Sequence, residues 1–76
     1  MRILISDVAV FSYRAVRRIS PVTKAQAQRD LARLATEAVP GEAHVDGIHR
    51  WYLAQGGLRL VVAESPGVRW VVQVVG

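Results

Sequence analysis

The sequence predicts an α+β fold, with a helical hairpin packed on one face of a mostly antiparallel four-stranded sheet in the order β-α-α-β-β-β. Three observations lead there. A helix-forming run with a clean apolar stripe spans residues 23–38. Three β-prone runs separated by glycine or proline turns fill the C-terminal half. A short apolar segment opens the chain at Arg2–Ile5. Helices grouped before a strand meander form two layers around one core, and 76 residues leave room for a single domain, 1–76.

Arg2 to Ile5 reads as a strand, and Ser6 and Asp7 follow as N-cap side chains. Val8 to Ile19 reads as a helix: Val8, Phe11, Ala15 and Ile19 recur at helical spacing beside Val16, while Arg14, Arg17 and Arg18 fall elsewhere. Ser20-Pro21 ends it, because the residue before proline avoids helical geometry. Thr23 and Gln26 have capping-box spacing. Ala27, Leu31, Leu34, Ala35 and Ala38 then form the stripe of the second helix. Val39-Pro40-Gly41 stops that helix, and residues 41–47 read as a loop.

The rest is strand. Ile48–Gln55, Leu58–Glu64 and Val68–Val75 are separated by Gly56-Gly57 and by Ser65-Pro66-Gly67. A double glycine predicts a two-residue hairpin with positive φ at both positions. In that register His49, Trp51, Leu53, Leu58, Leu60 and Val62 face the helices, and Arg50, Tyr52, Ala54, Arg59, Val61 and Ala63 form the outer face. With Pro66-Gly67 central to the next turn, Arg69 sits opposite Glu64 on the helix side. One residue more or less would move it to the arginine face.

Composition narrows the chemistry. Hydrophobic residues are 51% and charged residues 21%, a globular balance. No cysteine is present, so disulfides and thiolate metal sites are excluded, which fits a cytoplasmic protein. No apolar run reaches membrane-spanning length, and Asp7 interrupts the N-terminal segment before a secretory core could form. The net charge of +4 lies in residues 1–38, where six Arg and one Lys meet Asp7, Asp30 and Glu37. A basic half directs attention to nucleic acid or an acidic partner. Arg14, Arg17 and Arg18 could grip a phosphate backbone or a partner, with salt-sensitive binding.

Motifs for catalysis are sparse. His44 and His49 are the only histidines, and neither has a motif around it. Glu42, His44 and Asp46 alternate without a metal-ligand spacing, so no metal and no cofactor is expected. RNA cleavage without a histidine base would fall to Arg50 and Arg59, stabilising charge on phosphate oxygens while Tyr52 or Trp51 stacks a base.

The layout, with the stretch Tyr52-Leu53-Ala54-Gln55-Gly56-Gly57-Leu58-Arg59-Leu60-Val61-Val62, resembles the RelE/ParE toxin superfamily. The resemblance implies a toxin that cuts messenger RNA on the ribosome or inhibits DNA gyrase, neutralised by an antitoxin. It carries Arg59 over as the arginine of the strand after the glycine turn, with Arg50 and Arg69 beside it. Family nucleases continue past the last strand to a further Arg or Tyr, whereas here Gln73-Val74-Val75-Gly76 stands at that place. Two other readings come from the residues alone. One is a non-enzymatic interaction module that adds a strand through Val68–Val75 or self-associates as a homodimer. The other is a small basic nucleic-acid-binding protein.

Overall fold

The computed structural model describes residues 2–17, 22–37, 39–46 and 49–76. In chain order these form β1 (Arg2–Ile5), α1 (Asp7–Val16), α2 (Lys24–Glu37), β2 (Val39–Asp46), β3 (His49–Leu53), β4 (Arg59–Ser65) and β5 (Val68–Val75). One sheet runs β1-β5-β4-β3-β2. β1 lies parallel to β5, and the other neighbours are antiparallel. The α+β class and the helical layer on one face stand as expected. The sheet is one strand wider, because β2 occupies residues 39–46, where the sequence reads as a helix end and loop. Its backbone groups find partners on β3, with a register irregularity between Val39 and His44.

Both helices start as their caps dictate. Ser6 is the N-cap of α1, and its hydroxyl accepts from the Ala9 N–H at 3.0 Å. At α2 the Thr23 hydroxyl accepts from the Gln26 N–H at 3.1 Å. The capping box is only half closed, because the Gln26 amide donates instead to Asp30 Oδ1 at 2.8 Å. The stripe of α2 is buried as expected at Ala27, Leu31 and Ala35. That of α1 is not. Ala9, Val10 and Tyr13 face the core, while Val8, Phe11 and Val16 lie exposed.

The turn between β3 and β4 is one residue longer than a two-residue hairpin. Gly56 and Gly57 do take positive φ, 77° and 76°. Gln55–Gly57 form a single tight helical turn, closed by the Ala54 N–H donating to the Leu58 carbonyl at 2.7 Å. Leu53 therefore pairs with Arg59 and Tyr52 with Leu60. That odd shift turns β3 over relative to β4. Tyr52 goes into the core with Leu60, Val62, Val71 and Val74, and Leu53 goes outward. The core lies between this inner sheet face and the two helices.

Candidate interaction surface

Strand alternation from the observed pairings defines the outer face of the sheet. Leu4 pairs with Trp70, Trp70 with Ala63, Trp51 with Val61, and Leu53 with Arg59 and then Val75. None of these belongs to the core under the helices. Trp70 is 46% exposed and Leu53 42%, while Val61 beneath them is only 7% exposed. Trp51, Ala63, Val68 and Val75 are half-buried. Both tryptophans of the chain thus stand on the sheet face opposite α1 and α2. Arg2, opposite Val68, and Arg59 stand on this same face.

The expected arginine site does not assemble. Arg59 projects from this outer face. Arg50 pairs with Val62, a core residue, so it leaves the opposite side of the sheet. There its guanidinium lies 3.8 Å from Glu64. Arg50 and Arg59 cannot act on one phosphate, and Tyr52, expected to stack a base between them, is buried. The cause is the extra turn residue, which reverses every β3 side chain at once.

Arg69 takes the helix-side position opposite Glu64. Its Nε donates to Glu64 Oε1 at 2.8 Å, and its Nη1 donates to the Ala35 carbonyl of α2 at 2.8 Å. The guanidinium also lies over the Tyr52 ring, 4.9 Å from the centroid. Glu64 Oε1 accepts a second bond, 2.7 Å, from the Tyr52 hydroxyl. These donors, Tyr52 first, hold the Glu64 carboxyl below its usual range against the opposing pull of burial. The Tyr52 hydroxyl is pushed up, chiefly by burial and then by Glu64. Among the described residues no buried side-chain polar atom lacks a hydrogen-bond partner, and these bonds fasten α2 to the sheet.

On α1, Arg14 and Arg17 are exposed, three residues apart on adjoining parts of the helix. Arg17 lies 5.5 Å from the Tyr13 ring centroid. It rims a cavity of about 550 Å³ with Arg33, Leu34, Leu58 and Asp30. The Asp30 carboxylate there already accepts from Tyr13 and Gln26. Arg18 lies outside the described residues. Among the described residues no His, Asp or Glu cluster could hold a metal, and no helix is long and apolar enough to cross a membrane.

The strand expected to recruit another strand is closed. β5 pairs with β4 along one side and with β1 along the first half of the other. Beyond Val71, α1 takes over the open half. The Ser6 N–H and hydroxyl donate to the Val71 and Val72 carbonyls at 3.0 and 2.7 Å, and the Ser12 hydroxyl accepts from the Val74 N–H at 2.9 Å. Val72 is the extra residue of a bulge opposite Val61 and Val62. Edge groups that would invite a partner strand are thus held by serines.

No family model, curated protein or solved structure matches this chain. The residues that emerge from the geometry are Trp70, Leu53 and Trp51 on the sheet and Phe11 on α1. Sequence reading assigned Phe11, Leu53 and Trp51 to the core. Their aromatic or aliphatic character was legible, but the face each would take was not.

Proposed function

We propose that this chain is a RelE/ParE-like toxin or toxin-derived module of the cytoplasm that works by binding its target, with DNA gyrase ahead of messenger RNA on the ribosome, and that an antitoxin neutralises it. The observation that carries this reading is the outer sheet face bearing Trp51, Leu53 and Trp70. A solvated apolar patch rimmed by Arg2 and Arg59 suits protein contact, since aromatic groups and arginine dominate interface energetics. The separation of Arg50 from Arg59 favours binding over cleavage. Cysteine-free composition suits a reducing compartment.

Controlled expression in bacterial cells tests it. Growth should stop, and Trp70→Glu with Leu53→Glu should relieve the arrest while circular dichroism stays unchanged. Normal growth at high soluble expression would remove the proposal. Arrest accompanied by messenger RNA cleavage would return the activity to the nuclease branch.

A second reading, nonspecific nucleic-acid binding, draws on exposed Arg14 and Arg17 and on Arg33 at the cavity rim. It requires affinity for a DNA duplex that falls steeply as salt rises. Binding indifferent to salt would discard it.

A further inference from the structure

α1 is apolar on two sides. Ala9, Val10 and Tyr13 are buried against the sheet and α2. Val8, Phe11 and Ala15, at spacings of three and four, point away, with Val8 57% and Phe11 75% exposed. A helix apolar all round belongs in an interior, yet here half of it meets solvent. Beside this stripe runs a groove of about 710 Å³ that extends along Val16, Val74 and Val75 to Gly76.

The flanking charges indicate what covers it. Asp7 and Arg14 are both exposed and seven residues apart, close to two helical turns. They therefore share one flank of the Phe11 stripe, the acid at the N-terminal end and the base at the C-terminal end. Two such helices laid antiparallel about a two-fold axis at Phe11 bring like flanks together. Residues whose numbers sum to about 22 then come level, so each Asp7 stands beside the Arg14 of the other copy. The helix dipoles oppose favourably in the same arrangement. Asp7 is already 3.4 Å from Lys24, but both groups are highly exposed, so that pair is weak and easily shared. An acidic peptide or an anionic membrane would meet Arg14 and Lys24 on this flank but would set like charge against Asp7, whereas a second copy brings a base to Asp7 and an acid to Arg14.

We propose that this chain forms a two-fold homodimer through the outer face of α1, Phe11 meeting Phe11 and Asp7 pairing with Arg14 across the axis. The contact is isologous, so each substitution acts twice. It is separate from the sheet face and independent of the toxin reading.

Sedimentation equilibrium on the full chain tests the proposal. The wild type should be dimeric at about 100 µM, a concentration at which even micromolar affinity fills the complex. Phe11→Asp should be monomeric with an unchanged circular dichroism spectrum. Asp7→Arg and Arg14→Asp should each raise the dimer Kd about tenfold or more, and the double exchange should restore it to within about threefold. Because both charge positions are exposed, that pair of variants reads the contact even if Phe11→Asp misfolds. A monomeric wild type overturns the proposal, including one that binds anionic vesicles or an acidic peptide through this face. So does a dimer that tolerates Phe11→Asp, or one that the double exchange fails to restore.

Discussion

The two helices obey different rules. α2 turns its most apolar stripe inward, as its periodicity predicts, and Leu31 is fully buried. α1 turns its inward side by other means and leaves Phe11 in solvent. The difference lies in how each is attached. Residues 17–23 lie between the two helices in sequence, so α2 does not follow a strand by a single residue. α1 begins one residue after β1, and Ser6 is at once its N-cap and a donor to β5. Burying Phe11 would gain about 2–3 kcal/mol. Rotating the helix to do so would break three bonds from Ser6 and Ser12 and orphan groups on β5, at about 1–3 kcal/mol each. It would also expose Tyr13 and Val10. A short connection with polar anchors outweighs an apolar stripe.

Truncation at matched positions gives the largest contrast. Leu31→Ala should destabilise the fold by about 2–5 kcal/mol, because it opens a cavity in a site with no solvent access. In a domain this small that is much of the total stability. Phe11→Ala should change the stability of the dilute monomer by no more than about 0.5 kcal/mol. Urea unfolding followed by circular dichroism measures both. Equal losses would mean that the two helices do not differ in the way described.

The sheet shows the same limit of legibility. β4 was readable, since Leu60 and Val62 are buried and Arg59 points out as alternation predicts. At the proline-glycine turn two registers were open, and the observed one is that with Pro66-Gly67 central: Ser65 pairs with Val68, and Arg69 meets Glu64. β3 was not readable. Gly56-Gly57 announces positive φ but does not say whether two or three residues form the turn, and that single residue decides which way Arg50, Trp51, Tyr52 and Leu53 all point. β2 was hidden because Pro40 and Gly41 are poor strand formers, and its pairing with β3 is visible only in three dimensions. Elements came from local pattern; faces came from long-range contacts that local pattern does not encode.

The serine anchors of α1 can be broken one at a time. Ser12→Ala leaves the Val74 N–H without its acceptor, and Ser6→Ala removes both a cap and a strand bond. Each should cost about 1–2 kcal/mol. Hydrogen exchange separates them from a general loosening. In Ser12→Ala the Val74 amide should lose protection well before amides on the β3–β4 ladder do. Uniform loss across the sheet would show that Ser12 has no local anchoring role.

The polar anchor of α2 is the smallest effect and the one set by pH. Arg69 bridges the Glu64 carboxylate and the Ala35 carbonyl. The folded state lowers the Glu64 pKa, so its contribution is present above the ordinary carboxylate range and is lost as pH falls through the lowered folded value. Tyr52 is shifted the other way. Its contribution is present below the ordinary tyrosine value and is lost as pH rises through the raised folded one. Tyr13, raised by burial and by Asp30, adds a similar alkaline loss where α1 meets α2. Glu64→Gln should therefore flatten the acid side of a melting-temperature profile, at a cost of about 1 kcal/mol near neutrality. Tyr52→Phe should weaken both sides, and only the double variant Tyr52→Phe with Tyr13→Phe should clear most of the alkaline one. An acid side as steep in Glu64→Gln as in the parent would mean that α2 rests on its apolar stripe alone, and the contrast with α1 would then be complete.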